Sequence, residues 1–148
     1  MTKREIAENY FKQGYNCAQS VVLTFSKEIN LDEKTALMLA SPFGGGMGRL
    51  RETCGAVSGM LIVLGLLKGY SSFDDIKEKT ELYSLVQKLV LQFKEKNGSY
   101  TCRELLNLPD GNSNPVPEKR TETYYKKRPC ALLVGDATEI LDNYLNNN

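Results

Sequence analysis

The segment RETCGAVSG, residues 51–59, places a cysteine where a helix is expected to begin and follows it with two glycines four residues apart. We predict that Thr53 caps this helix, because a threonine side chain accepts hydrogen bonds from the free N–H groups of a first turn. Cys54 then lies in that turn, and Gly55 and Gly59 share one face. Each glycine costs about 1 kcal/mol relative to alanine inside a helix. Close packing of another helix on that face, or a cofactor lying there, is expected to compensate.

The helix that follows Cys130 has a similar face of small residues, at Ala131 and Gly135. Helices approach each other more closely where the side chains between them are small. We therefore expect these two helices to pack together and to bring Cys54 near Cys130.

The rest of the chain is also patterned for helices, with apolar residues three and four positions apart and no clear alternating strand run. Helices are predicted at about residues 3–13, 17–29, 32–40, 54–67, 72–97, 102–106 and 129–144, and a surface loop is predicted at residues 108–123. The prediction is one all-α domain over residues 1–148, a bundle of six to seven helices with a glycine-rich loop.

Charge and hydropathy exclude several classes of protein. The 148 residues carry 19 Lys and Arg against 18 Asp and Glu, so no overall field attracts nucleic acid or an anionic membrane. The longest mainly apolar stretch, Ala56–Leu67, is too short to span a bilayer. The charged, amphipathic N-terminus does not resemble a secretory signal. We therefore expect a cytoplasmic protein without nucleic acid and without a membrane span.

The chain contains four cysteines and no histidine. The absence of histidine excludes Cys–His dyads, Ser–His–Asp triads, Cys₂His₂ zinc sites and histidine-ligated haem. Cytosolic thiols are normally kept reduced, so a stable disulfide framework is not expected. Sulfur, carboxylates, arginine, lysine, tyrosine and the backbone remain as the groups that carry chemistry.

Each cysteine is predicted to lie at the start of a helix: Cys17 after Asn16, Cys54 after Thr53, Cys102 after Thr101 and Cys130 after Pro129. The partial positive charge of a helix N-terminus lowers the pKa of a thiol, and thiolate is the form that binds metals and attacks disulfides. The alternative is that the four are separate small buried residues. The spacing fits no C-x-x-C site, zinc ribbon or ferredoxin pattern, so only the tertiary fold can bring them together.

The run GGGMGR, residues 44–49, is neither a P-loop nor a dinucleotide fingerprint. One interpretation is a loop that needs positive φ angles. The other is a backbone that approaches a thiolate, cluster or anion closely, with Arg49 and Arg51 adding charge. On the second interpretation the candidate cofactor-binding residues are Gly44, Gly45, Gly46, Gly48, Gly55 and Gly59.

The order Cys17, glycine-rich loop, Cys54-Gly55-Ala56-x-x-Gly59, Cys102, Cys130 resembles the C_GCAxxG_C_C family of redox-active proteins over nearly the whole chain. That family is similar to the iron–sulfur part of split-Soret cytochrome c. The resemblance implies that the four thiols act together as ligands of a cluster. The haem of that cytochrome does not carry over, because C-x-x-C-H and histidine are both missing here. Family members often lie beside transporter genes, which implies a link to a transporter system.

Three functions follow as hypotheses. The first is electron transfer or redox sensing through a [2Fe–2S] or [4Fe–4S] cluster held by Cys17, Cys54, Cys102 and Cys130. The second is a structural Cys₄ zinc site. The third is thiol–disulfide exchange without metal, through a pair such as Cys54 and Cys130. A redox partner protein and a homodimer are the protein partners that the sequence leaves open.

Overall fold

The computed structural model describes residues 1–111 and 114–147. Asn112 and Ser113, which belong to the predicted surface loop, and the terminal Asn148 lie outside the described residues. The helices are α1 (Lys3–Gln13), α2 (Cys17–Thr24), α3 (Glu33–Ala40), α4 (Gly44–Met47), α5 (Gly55–Lys68), α6 (Ile76–Asn97), α7 (Cys102–Leu105), α8 (Glu122–Lys127) and α9 (Cys130–Asn146), with a 3₁₀ turn at Ser41–Phe43.

The predicted all-α class is confirmed. Six of these helices have eight residues or more. Outside the helices, the only β pairing in the described ranges is an isolated antiparallel bridge between Thr53 and Thr101. Over the same residues, no helix has both the length and the apolar character needed to cross a membrane.

The face of α5 that carries Gly55 and Gly59 packs directly against α2. A methyl group added at Gly59 would stand 2.8 Å from the carbonyl oxygen of Ala18 and 3.0 Å from the Cβ of Val21. Tight helix packing, expected from the sequence, therefore explains Gly59. The partner expected for this face was wrong, because the glycines face the helix of Cys17, whereas the expected packing of α5 on α9 is present elsewhere on the helix.

The small residue Gly135 of α9 faces α1. A methyl group there would collide with the Glu8 carboxylate and stand 2.9 Å from Arg4 Nε. The same region holds a charge network around the buried Asp136, whose carboxylate lies 2.7 Å from Arg4 and 3.2 Å from Lys96. This network fastens the first and last helices together beside the core.

Three features differ from the sequence prediction. Helix α6 begins at Ile76 and not at residue 72, because the Asp75 side chain accepts a hydrogen bond from Glu78 N–H and so caps the helix there. Helix α2 ends at Thr24 and not near Ile29, since Phe25 and Ser26 donate to carbonyls three residues back and so tighten the chain into turns. Helix α8 begins within the predicted surface loop, where the Thr121 side chain accepts a hydrogen bond from Tyr124 N–H. Tertiary packing of Tyr124 and Tyr125 on the core favours that extra helix.

Candidate functional site

All four cysteines line one cavity of about 270 Å³. Three are buried and Cys17 is half-buried, and all four are free thiols. Each comes from a different helix start, so this is where the fold brings together residues that lie far apart in sequence. The cavity lies between α2, α5, α7 and α9, with the glycine-rich turn on one side and residues 115–128 on the other.

The four helix starts are built in different ways. Asn16 caps α2 as predicted, in a reciprocal capping box with Gln19. Cys54 is itself the N-cap residue of α5, so Thr53 does not cap this helix. The reason is that Thr53 is held in the extended bridge to Thr101. Pro129 is the N-cap residue of α9 and not its first residue.

The Cys102 helix has no capping box, although its sequence from Thr101 to Glu104 has the T-x-x-E pattern of one. Thr101 occupies the N-cap position but its side chain makes no cap hydrogen bond. Glu104 instead accepts a hydrogen bond from the Ser99 hydroxyl at 3.1 Å. The backbone holds this helix start in place, because Cys102 N–H donates to the Glu52 carbonyl at 2.6 Å.

Cys17 and Cys130 come together in the cavity, and a hydrogen bond between their thiols is the largest cause of the pKa shift of each. This bond, with burial and the nearby cysteines, raises the pKa of Cys17 well above its ordinary value. The same bond lowers the pKa of Cys130 against the effect of burial, and the charges of Arg128, Arg120 and Arg51 act in the same direction. The two pKa directions therefore favour a neutral Cys17 thiol beside a Cys130 thiolate.

Cys54 is a second thiol that the cavity holds in the neutral form. Burial raises its pKa to about 12, although the backbone N–H groups of Ala56 and Val57 act in the opposite direction. Its own N–H donates to the Tyr100 carbonyl at 2.8 Å. Together with the Cys102–Glu52 bond, this ties the segment before α5 to the segment before α7, so Cys54 and Cys102 are held as a unit.

Cys102 lies next to Arg51. The Nη1 atom of Arg51 is 3.8 Å from Cys102 Sγ. Burial raises the pKa of Cys102, and the Arg51 hydrogen bond and charge reduce that rise. The sequence identified Arg51 only as a residue that adds charge near the glycines.

The glycine-rich turn has left-handed backbone, as the first interpretation of its sequence required. The φ angles are +66° at Gly45, +70° at Gly46 and +57° at Gly48. The two non-glycine residues Met47 and Arg49 share this conformation, with φ of +70° and +69°. A glycine count alone would not have identified these two residues.

Close approach to the thiols is also present at two glycines. A methyl group at Gly46 would stand 2.7 Å from the Cys102 Cβ, and one at Gly55 would stand 3.1 Å from the Cys17 Cβ. A methyl group added at Gly44 would stand 2.6 Å from the Asn16 side chain. Of the six candidate cofactor-binding glycines, the cavity lining contains Gly44, Gly45, Gly46, Gly48 and Gly55. Gly59 lies one turn further along α5, in the contact with α2.

Basic residues dominate the charged part of the cavity wall. Arg49, Arg51, Arg120 and Arg128 line it, and Glu118 is the one carboxylate among the lining residues that the structure describes. Glu118 pairs with Arg128 and lies 3.8 Å from Arg49. With neutral thiols the wall is therefore cationic, and it suits anionic contents.

The sequence did not single out Arg120 and Tyr124. The guanidinium of Arg120 donates to the carbonyls of Phe11 and Tyr15 at 2.6 and 3.0 Å, and it stacks on the Phe11 ring. Tyr124 lines the cavity, and burial raises its pKa to about 12. No helical periodicity marks these residues, because their positions depend on how the segment before α8 folds back over α1.

Four basic residues lie close to Cys102 or Cys130 in sequence, but most of them do not reach the cavity. Lys126 and Lys127, close to Cys130 in sequence, are exposed, and Arg103 turns to the carbonyls of Pro109 and Gly111. Arg128 alone of these lines the cavity. In the described part of the chain, no three Cys, Asp or Glu side chains stand as a ready ligand set for a single metal ion.

Fold and site together define an all-α protein with a four-cysteine cavity at converging helix starts. Residues 15–144 match the family model described as "Putative redox-active protein (C_GCAxxG_C_C)", and the chain belongs to this family. The match covers all four cysteines and both glycine motifs. No curated protein and no solved structure matches the chain.

Proposed function

We propose that this protein serves electron transfer or redox sensing through one iron–sulfur cluster held by Cys17, Cys54, Cys102 and Cys130. The observation that carries the proposal is that these four thiols, from four different helix starts, line a single cavity. Four thiolates are the ligand set of both [2Fe–2S] and [4Fe–4S] clusters. When bound, such a cluster supplies one-electron chemistry.

The positive charge of the cavity wall suits four thiolate ligands. Four thiolates and a cluster carry net negative charge, which Arg51, Arg120 and Arg128 offset. The same arginines already favour the thiolate form of Cys130. The residues present therefore fit an anionic, sulfur-ligated group.

The rest of the wall adds apolar surface. Phe11, Leu105, Leu106 and Leu133 line the cavity together with the ring of Tyr124. Gly46 and Gly55 let the backbone approach Cys102 and Cys17 without an intervening side chain. Exclusion of water and backbone dipoles near sulfur are two of the means by which proteins tune such centres.

The test is anaerobic purification followed by a visible spectrum and by measurement of iron, zinc and acid-labile sulfide per chain. Charge-transfer bands with matching iron and sulfide support the proposal. Four single Cys→Ser variants are each expected to lose most of the iron. Ala131→Ser, which changes the residue after Cys130 and keeps every thiol, is the matched control and is expected to retain it. A colourless protein with stoichiometric zinc would replace the proposal by a structural Cys₄ zinc site.

A second candidate function is thiol–disulfide exchange, which is favoured by the position of Cys17 and Cys130 in one cavity and by the lowered pKa of Cys130. The Cys130 thiolate would attack a low-molecular-weight disulfide and release one thiolate. Cys17 would then displace the second thiol, which leaves a Cys17–Cys130 disulfide and a fully reduced acceptor. The sequence had suggested Cys54 and Cys130 for this role. Mass spectrometry of metal-free protein treated with oxidised glutathione distinguishes the two pairings.

The cellular setting is part of the same proposal. The proposal places the protein in the cytoplasm, because cytosolic thiols are normally kept reduced and so available as ligands. The redox partner protein, the link to a transporter system and the homodimer rest on no contact described above and stay predictions.

A further inference from the structure

Arg51 differs from the other three arginines of the cavity wall in what its side chain contacts. Arg49 donates to the carbonyls of Asn114 and Val116, and Arg120 donates to the carbonyls of α1 and of the turn after it. Arg128 pairs with Glu118. Arg51, in contrast, donates a hydrogen bond to a sulfur atom, Cys102 Sγ at 3.8 Å, among the residues that the structure describes.

The positive charge of Arg51 is buried without a nearby negative charge. Arg51 is 9% exposed, and no carboxylate within the described ranges lies within ion-pair distance of it. A buried charge without a counter-charge is unfavourable by several kcal/mol in general. The guanidinium carries five N–H donors, so one bond to Cys102 leaves donors that face the cavity. An anionic group in the cavity would supply the missing counter-charge.

Hydrogen bonds at both the N–H and the carbonyl of Arg51 hold its backbone in place, and this fixes the point from which the side chain extends. Arg51 has φ of +62°, and its N–H donates to the Gly45 carbonyl at 3.1 Å. Its carbonyl accepts the N–H of Arg103 at 3.1 Å, next to the Cys102–Glu52 bond. The glycine-rich turn, Arg51 and the start of α7 thus form one hydrogen-bonded unit.

We propose that Arg51 is a positioning residue for the redox centre: it holds the Cys102 sulfur at the cavity wall and supplies positive charge at that sulfur. A hydrogen bond and a positive charge at a ligand sulfur stabilise the reduced, more negative state of a centre. Arg51 therefore raises the reduction potential. The statement about the potential rests on the proposed cluster, whereas the statement about local charge at Cys102 does not.

The first measurement uses metal-free, reduced protein. Cys102 is alkylated with iodoacetate, an anion, and separately with iodoacetamide, which is neutral, and the rates are read from its peptide by mass spectrometry. Both reagents react with the same thiolate. The iodoacetate rate divided by the iodoacetamide rate therefore reports the local charge and not the thiolate fraction. We expect Arg51→Met to lower this ratio roughly threefold or more and Arg51→Lys to restore most of it.

Arg49→Met is the matched control, because Arg49 lines the same cavity, belongs to the same left-handed turn and loses the same charge without touching sulfur. It is expected to change the ratio much less. An unchanged ratio in Arg51→Met, or an equal fall in both variants, overturns the proposal. Thermal unfolding checks that each variant is folded, and Arg51→Gln replaces Arg51→Met if the latter does not fold.

The second measurement uses cluster-loaded protein and its midpoint potential. Arg51→Met is expected to have a lower potential than the wild type, with unchanged iron and sulfide content, and Arg51→Lys an intermediate one. An unchanged potential overturns the role of Arg51 in tuning. If the wild type binds no iron, the proposed cluster fails, and the alkylation ratio still decides whether Arg51 acts on Cys102.

Discussion

The backbone of Gly46 lies directly against the Cys102 side chain. A methyl group on Gly46 would stand 2.7 Å from the Cys102 Cβ and 2.7 Å from the Glu52 nitrogen. The glycine-rich turn therefore serves a cysteine that is more than fifty residues away in sequence. Its left-handed conformation and its closeness to sulfur are two separate requirements, and substitutions can distinguish them.

Gly46→Ala and Gly48→Ala separate strain from contact. Both residues have left-handed φ, which costs an alanine about 1 kcal/mol. A methyl group at Gly48 meets nothing within 4 Å, whereas at Gly46 it also displaces Cys102. We expect Gly46→Ala to lower the free energy of unfolding by about 3 kcal/mol and Gly48→Ala by about 1 kcal/mol. Urea unfolding measures both, and equal losses would contradict the packing argument.

A second pair of glycines in α5 makes an opposite prediction. Gly59 contacts the Ala18 carbonyl, while Gly65 is exposed with open space around it. Gly59→Ala is expected to cost about 2 kcal/mol through overpacking against α2. Gly65→Ala is expected to stabilise the protein by about 1 kcal/mol, because alanine has the better helix propensity. Thermal unfolding of the two variants should therefore shift in opposite directions, and a loss of stability in both would refute it.

The features that were predictable from the sequence are local ones. Helical periodicity places most of the helices, and Asn16 with Gln19 identifies the start of α2 because a cap depends on residues three positions apart. The glycine spacing indicates tight packing on α5, since glycine inside a helix needs a reason. These signals do not depend on the rest of the fold.

The features that were missed depend on distant parts of the chain. Thr53 has a good capping side chain, but the bridge to Thr101 holds it in extended conformation. Arg120 reaches the cavity wall only because residues 114–121 fold back over the end of α1. The position of Cys130 beside Cys17 in the cavity likewise follows from the packing of α9 on α1 and α2. No spacing along the sequence encodes it.

The pKa shifts of the cavity thiols predict an ordered reactivity of these thiols in metal-free protein. The pKa of Cys130 is lowered from its ordinary value of 9.0, and that of Cys54 is raised to about 12. Alkylation followed over a pH series should therefore give a Cys130 rate whose midpoint lies below 9.0, with Cys54 reacting only at much higher pH. The thiolate is the reactive form in both cases.

Two substitutions at Cys17 test the cause of that shift. Cys17→Ala removes the hydrogen bond, so the midpoint for Cys130 should rise. Cys17→Ser retains a donor of similar size, so the midpoint should stay close to that of the wild type. The arginine charges act in all three proteins. If alanine and serine give the same midpoint, the arginines and not the hydrogen bond lower the pKa.

Stability of the metal-free, reduced protein is expected to fall between about pH 9 and pH 12. Burial raises the pKa of Cys54 from 9.0 to about 12, so its neutral thiol stabilises the folded state fully below pH 9. Above that pH the unfolded chain loses the proton first, and the contribution disappears as the pH reaches the folded pKa. The difference corresponds to about 4 kcal/mol. Tyr124, with a pKa raised from 10.0 to about 12, acts in the same direction.

Urea unfolding at several pH values measures this decline in stability. Cys54→Ser, which does not titrate in this range, should reduce the slope, and an unchanged slope would show that Cys54 is not the group responsible.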